Sequence, residues 1–220
     1  MVAWCDGGAR WICRDASGWG AVEAVPEMGG VAKATRLQAD SQGRIHLVAT
    51  WGAGTGIYYS VLDAATDCAS SSWSPVEVIS GPEGGRYANV AVDTDDDPHV
   101  RWHDTDYTNV YYRKASGGSW SAPVTAVTTT EWDSRFCDIS AGLTPHVIYE
   151  QDDANYQNCH PSHTYWTGGG FSEPFDLVTS YHSWPQIVMD PAGEGHVLYT
   201  GRHGDCEVKL PPHQRRSLGS

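Results

Sequence analysis

Apolar and polar residues alternate with a period of two between Tyr87 and Val127, and the alternation falls into four runs. These are Tyr87–Val92, His99–His103, Val110–Arg113 and Trp120–Val127. Asp93–Pro98, Asp104–Asn109 and Ala115–Gly118 separate them. Successive side chains on a strand point to opposite faces, so this period predicts half-buried strands. The β-branched and aromatic content of the runs, and the Asp, Asn, Gly and Ser between them, predict four antiparallel strands joined by turns. Four strands in roughly 40 to 50 residues make one blade of a propeller.

The pattern recurs along the chain. An Asp followed six residues later by His joins the first two runs as Asp40 and His46, Asp93 and His99, and Asp190 and His196. Ser140 and His146 keep the spacing with Ser for Asp. The third run is marked by Ile57-Tyr58-Tyr59, Val110-Tyr111-Tyr112 and Thr164-Tyr165-Trp166. The fourth is marked by Trp73-Ser74-Pro75-Val76, Trp120-Ser121-Ala122-Pro123 and Phe171-Ser172-Glu173-Pro174. Three markers in one order predict an all-β propeller of four-stranded antiparallel blades, about five per chain. Full blades are expected over 32–80, 84–128 and 132–178. Residues 1–25 form a partial blade without its first strand, because Met1–Asp6 aligns with His99–Asp104. A second partial blade covers 182–210, and 211–220 reads as a disordered tail.

Two incomplete ends leave strand edges to be paired. Trp184–Met189 could complete the blade begun by residues 1–25, or the ends could pair between copies. Val2–Cys5 and His196–Thr200 are both second strands, which favours a closed homo-oligomer, most simply a dimer. Neither end falls at a blade boundary, so the chain reads as a piece of a longer propeller.

Composition narrows the partners. The chain has 220 residues, 40% of them hydrophobic, with ten Trp, enough for a sizeable core. A formal charge of −13 and only Lys33, Lys114 and Lys209 argue against a nucleic-acid backbone. No apolar run is long enough to span a membrane, and no secretory leader precedes Val2. Cys5, Cys13, Cys68, Cys137, Cys159 and Cys206 follow no blade register and form no Cys-x-x-Cys pair, so mostly free thiols are expected.

The Asp-x-x-Gly-x-x-His strands, the Tyr-Tyr strand and the Ser-x-Gly-x-Trp-Ser-x-Pro segments resemble repeats of the sialidase-like (BNR-type) β-propeller superfamily. The resemblance covers about 1–206 and implies the fold more than the activity. Ala115-Ser116-Gly117-Gly118-Ser119-Trp120 lacks the Asp of the sialidase box. Arg36, Arg86 and Arg135 stand in different registers, so the sialidase arginine triad does not carry over.

The ends of second strands and the starts of first strands open on one face of a propeller. Starts fall at Lys33, Arg86, Asp133 and His182-Ser183. Ends fall at Cys5-Asp6, Trp51, His103-Asp104, Glu150 with Asp152 and Asp153, and Arg202, His203 and Asp205. A longer connection adds Cys159, His160 and His163. Imidazoles and carboxylates transfer protons near neutral pH and bind divalent ions. The candidate catalytic residues are therefore His103, Glu150, His182 and His203. A zinc or calcium ion would draw on His103, His160, His163, His203 and Asp205. Trp51, Arg86, Trp184 and Arg202 are the candidate substrate contacts. By contrast, His46, His99, His146 and His196 recur, which points to structural hydrogen bonds, and Trp19, Trp73, Trp120 and Phe171 recur as inter-blade packing.

Three functions compete. The first is a hydrolase, metal-assisted, acting on an ester or phosphoester. The second is a glycan-binding module or carbohydrate-active enzyme using aromatic platforms. The third is a scaffold without activity. The chain contains no Gly-x-Ser-x-Gly, His-Glu-x-x-His or P-loop motif to choose among them.

Overall fold

The computed structural model describes residues 1–29, 32–51, 56–63, 72–82, 84–129, 137–151, 159–178, 182–190 and 192–201. Among the described residues every regular element is a strand, and the sheets follow one another along the chain. The first sheet orders Val2–Cys5, Gly8–Ile12 and Glu23–Gly29, with a short ribbon of Arg14–Asp15 and Gly18–Trp19 beside it. The second orders Ala32–Ala39, Ile45–Trp51, Ile57–Leu62 and Glu77–Val78. The third orders Arg86–Val92, Pro98–His103 and Asn109–Ser116, the last pairing with both Ser119–Trp120 and Val124–Thr128. The fourth orders Asp138–Ala141, Pro145–Gln151, His160–Tyr165 and Phe175–Asp176. The fifth pairs His182–Met189 with Gly195–Gly201.

The Asp-to-His spacing has a physical cause. Asp93 Oδ1 accepts the N–H groups of Asp95 and Asp97 at 2.9 and 3.0 Å, closing the turn after the first strand. Its Oδ2 lies 2.9 Å from His99 Nε2, and His99 Nδ1 lies 2.6 Å from Tyr112 Oη. An ionised carboxylate only accepts, so Nε2 donates to Asp93 and the neutral ring accepts the Tyr112 hydroxyl at Nδ1. Asp40, His46 and Tyr59 repeat the circuit at 3.2 and 2.6 Å. Asp190 caps its turn the same way and lies 3.4 Å from His196. Burial keeps His46 and His99 below the usual imidazole range despite the carboxylates. Burial tends to raise Asp93, but Lys114, His99 and the turn N–H groups overcome it and bring it down to about 2.

The fourth strand departs from the expected continuous run. In the second, third and fourth sheets a proline (Pro75, Pro123 or Pro174) interrupts it, because proline has no N–H for the ladder. The Ser before it bridges the gap: Ser74, Ser121 and Ser172 donate N–H to the carbonyls of Val61, Lys114 and Tyr165 at 2.7, 2.8 and 2.8 Å. Their hydroxyls accept the N–H of the same three residues at 3.0, 3.2 and 3.3 Å.

Sheets pack through aromatic edges. Trp73 meets Trp11 of the preceding sheet at 5.8 Å and 81°. Trp120 meets Tyr59 at 4.9 Å and 85°, and Phe171 meets Tyr112 at 5.1 Å and 77°. Such edge-to-face pairs add about 0.5–1.5 kcal/mol each to their area burial. Trp19 departs from the expected packing role: it is 55% exposed, since no described sheet precedes its own. Apolar clusters fill each gap between consecutive sheets.

The first strands Ala32–Ala39, Arg86–Val92, Asp138–Ala141 and His182–Met189 lie side by side in that order. Asn89 and Asp138 hold the same register position in neighbouring sheets, and Asn89 donates to Asp138 Oδ1. Asp138 Oδ2 accepts Ile187 N–H at 3.0 Å, joining three sheets. Among the described residues the array does not close into a ring. His182–Met189 pairs with Gly195–Gly201, so it does not complete the N-terminal sheet as one of the two expected closures required. Cys5, Cys137 and Cys159 are free thiols, whereas Cys13 is in a disulfide.

Candidate functional site

Four residues beyond the His position, near the end of each second strand, one equivalent place is occupied by Cys5, Thr50, His103, Glu150 and Thr200. The register thus aligns Thr50, not Trp51, with His103. Four of these side chains reach the first-strand segment of the following sheet. Cys5 bonds to the Thr35 side chain, and Thr50 Oγ1 accepts Ala88 N–H at 3.4 Å. His103 Nε2 lies 3.1 Å from Cys137 Sγ, and Glu150 Oε2 accepts Trp184 N–H at 3.2 Å.

The receiving strands of the third and fifth sheets share an irregularity. Tyr87 and Ala88 oppose Trp102 alone, and Trp184 and Pro185 oppose Tyr199 alone. Each is a β-bulge. Its first residue has positive φ, +49° at Tyr87 and +59° at Trp184. Glycine is the usual residue there, and an L side chain costs about 1–2 kcal/mol. Both positions carry large aromatic rings instead, 45% and 59% exposed. Buried charges hold the two bulges. Arg101 Nη1 donates to the Tyr87 carbonyl at 2.7 Å, and Glu150 accepts the Trp184 amide. Gly85 lets the chain reach the first of these bulges: a Cβ there would lie 2.6 Å from Ile57 and 2.7 Å from Trp102.

A half-buried group gathers around Tyr87. Its ring centroid is 6.0 Å from that of Tyr107, which also has positive φ, +61°. Arg86 Nη1 donates to Tyr107 Oη at 2.9 Å, and its guanidinium carbon is 5.2 Å from the ring centroid. Asp104 holds the Tyr107 loop by accepting Thr108 N–H and Oγ1–H at 2.9 Å each and the Asn109 amide at 2.7 Å.

Beneath the rings lies a buried polar layer. Arg101 is 3% exposed, His103 0% and Glu150 4%. Burial lowers Arg101, although Cys137 and Asp138 oppose it. Burial and the Arg101 charge push His103 well below the imidazole range, so it is neutral. Burial pushes the Cys137 thiol up to about 12, which keeps it protonated.

Of the expected site residues, His103, Glu150, Arg86 and Trp184 stand at this end of the sheets. Arg86 pairs with His103, and Trp184 bonds to Glu150. His163 does not join them. It occupies the row of Trp11, Tyr59 and Tyr112, two residues along from the His register, with Nε2 3.0 Å from His146 Nδ1. His160 lies 3.2 Å from Asp176. Trp51 and His182 end and begin strands, without described side chains, and Arg202, His203 and Asp205 lie outside the described residues. Among the described residues no group of three or more His, Cys, Asp or Glu is arranged to hold a metal ion. The zinc or calcium expectation therefore turns on His203 and Asp205. Tyr87, Tyr107, Arg101 and Cys137 were not among the residues expected at the site. Arg101 had a signal, as the charged member of a register row otherwise made of Ala3, Val48, Ile148 and Leu198.

No family model and no curated protein matches the chain. Solved structures do. A polysaccharide lyase, an ulvan lyase bound to -[GlcA(1-4)Rha3S]-, is similar with a TM-score of 0.58 and 14% identity over 90% of this chain. The endo-arabinase from Bacteroides thetaiotaomicron VPI-5482 gives 0.56 and 13% over 96%. The Dos1 propeller gives 0.52 and 9% over 94%. The chain spans 59%, 88% and 53% of those three proteins. At such identities the likeness shows the fold: an all-β chain built like part of a propeller.

Proposed function

We propose that this chain binds a carbohydrate at the end of the sheets where Tyr87, Tyr107 and Trp184 stand. One observation carries the proposal: exposed aromatic rings occupy two equivalent left-handed bulges, each tied down by a buried charge. Strain kept at a matched pair of positions points to use of those side chains. Sugar rings present apolar C–H faces, and a rigid aromatic surface with a wet rim covers such a face well. Arg86 and the Tyr107 hydroxyl supply polar groups beside the Tyr87 ring. The similar ulvan lyase and endo-arabinase are, by name, polysaccharide enzymes, which supports a sugar as the ligand class.

His103 and Glu150 take a supporting role in this reading. Both are buried, and their bonds run to Cys137 and the Trp184 backbone. Hydrolysis of an ester or phosphoester through them, aided by His182, His203 and a metal, is the second reading. It is favoured by the equivalent placement of His103 and Glu150 on neighbouring sheets. The unclosed array is also the basis for a homodimer, and light scattering at micromolar concentration tests it.

Affinity electrophoresis of the purified chain in gels of arabinan, ulvan and a panel of other polysaccharides tests the carbohydrate reading. Retardation by at least one polysaccharide, weakened about tenfold in Trp184→Ala, is expected. Equal mobility in every gel would end it. Hydrolysis of model esters that is lost on chelation would move the assignment to the second reading.

A further inference from the structure

We infer that the ligand is a chain of several sugars lying on Tyr87 and Trp184 together, not a single sugar. This rests on the carbohydrate reading above and adds the length of the ligand to it. Tyr87 and Trp184 occupy one register position in the third and fifth sheets, with the fourth sheet between them. The first strands of these sheets lie side by side, so both rings stand at the same end. Asp138 reaches Asn89 on one side and the Ile187 amide on the other, so a single first strand separates the two that carry the rings and the rings stand on the order of 10 Å apart. One sugar ring cannot touch both.

The buried layer makes the two rings one rigid surface. Arg101 fixes the Tyr87 backbone, and Glu150 fixes that of Trp184. Asp138 lies between them, joined to Asn89 on one side and to the Ile187 amide on the other. Platforms already fixed in place lose little freedom when a ligand binds. A chain that reaches both gains the second contact as an intramolecular event. At the Tyr87 end, Arg86 makes no ion pair among the described residues, leaving its remaining N–H groups to donate to sugar hydroxyls.

Titration calorimetry with arabinan and ulvan oligomers of two to six sugars tests the inference. Affinity should rise by about tenfold or more at the length that first spans both rings, then level off. Tyr87→Ala and Trp184→Ala should each remove that step and leave the weak binding of short oligomers. Tyr87→Phe and Trp184→Tyr keep a ring and should retain the step. An affinity independent of length, or sensitive to only one of the two alanine substitutions, would overturn the two-platform inference while leaving a single sugar site. Absence of binding at every length would count against the carbohydrate reading itself.

Discussion

At one end of the sheets the same circuit is built again and again; at the other, equivalent positions carry different chemistry. The turn end uses Asp40, His46 and Tyr59, then Asp93, His99 and Tyr112, with nearly the same distances. The opposite end uses Cys5, Thr50, His103, Glu150 and Thr200 at one place. A group reused from sheet to sheet answers a demand those sheets share, here the closing of a turn over a buried ring. A group that changes from sheet to sheet answers something outside the repeat. Among the described residues the strained aromatic rings occur only at the second end, where Arg101 and Glu150 are buried beneath them.

The largest effect is expected from breaking a circuit. Asp93→Ala removes the acceptor for two turn N–H groups, for His99 and for Lys114. Removing one partner of such a buried pair costs roughly 3–5 kcal/mol. Urea denaturation should show this loss, with a smaller one for Asp190→Ala, whose carboxylate and His196 are more exposed. Equal losses would mean that burial does not set the strength of the circuit.

Acid should act on the turn end next. The fourth sheet replaces Asp by Ser140 and Tyr by His163, leaving a stacked His146–His163 pair at 5.1 Å. Burial, then His146, push His163 down to about 4, and burial lowers His146, His46 and His99. Below about pH 6.5 the unfolded chain takes up protons that the folded chain refuses, so stability falls as pH falls. For His163 the loss runs from about pH 6.5 to about 4 and totals on the order of 3 kcal/mol. His163→Tyr restores the residue of the second and third sheets and should flatten this dependence, as read by melting temperature. An unchanged pH profile would place the sensitivity elsewhere.

How much of each end could be read from the sequence follows the same division. The circuits were legible because Asp, His and Tyr recur at a fixed spacing, and the structural role expected of His99 rests on hydrogen bonds of 2.6 and 2.9 Å. His103 and Glu150 were legible as candidates through register alone. Tyr87 and Trp184 each stand six residues before the Asp of their turn, but the bulge that carries their rings was hidden, because its extra residue breaks the face that strict alternation assigns. His163 was misplaced for a related reason. The connection before it is longer than its counterparts, so its spacing from His146 no longer matches that of Tyr112 from His99, although the strand register does.

The rings themselves should matter for binding more than for folding. Tyr87→Ala and Trp184→Ala remove exposed side chains, so each should weaken polysaccharide retention by about tenfold, near 1.4 kcal/mol, with little change in melting temperature. Because alanine bears the same positive φ, the backbone strain stays, and any lost affinity belongs to the ring. A large fall in melting temperature with retention intact would turn the two aromatics into structural residues and erase the contrast between the ends.

The smallest effect is expected from Glu150→Gln, and it sharpens the comparison most. A glutamine oxygen can accept the Trp184 N–H as the carboxylate does at 3.2 Å, and it removes a charge from a position that is 4% exposed. Replacing a buried charge by a neutral group that keeps the hydrogen bond is close to neutral, so stability should change by no more than about 1 kcal/mol. Polysaccharide binding should persist in this variant and fall in Glu150→Ala, which leaves the bulge amide without that acceptor. A carboxylate that moves a proton during a reaction behaves differently, since an amide cannot replace it in acid–base chemistry. If Glu150→Gln binds sugar normally but loses a hydrolytic activity that the unmodified chain possesses, Glu150 is a catalytic group and not a support for Trp184. If it binds normally and no activity changes, the buried charge serves the aromatic face, and the varied end of the sheets is built to hold a ligand.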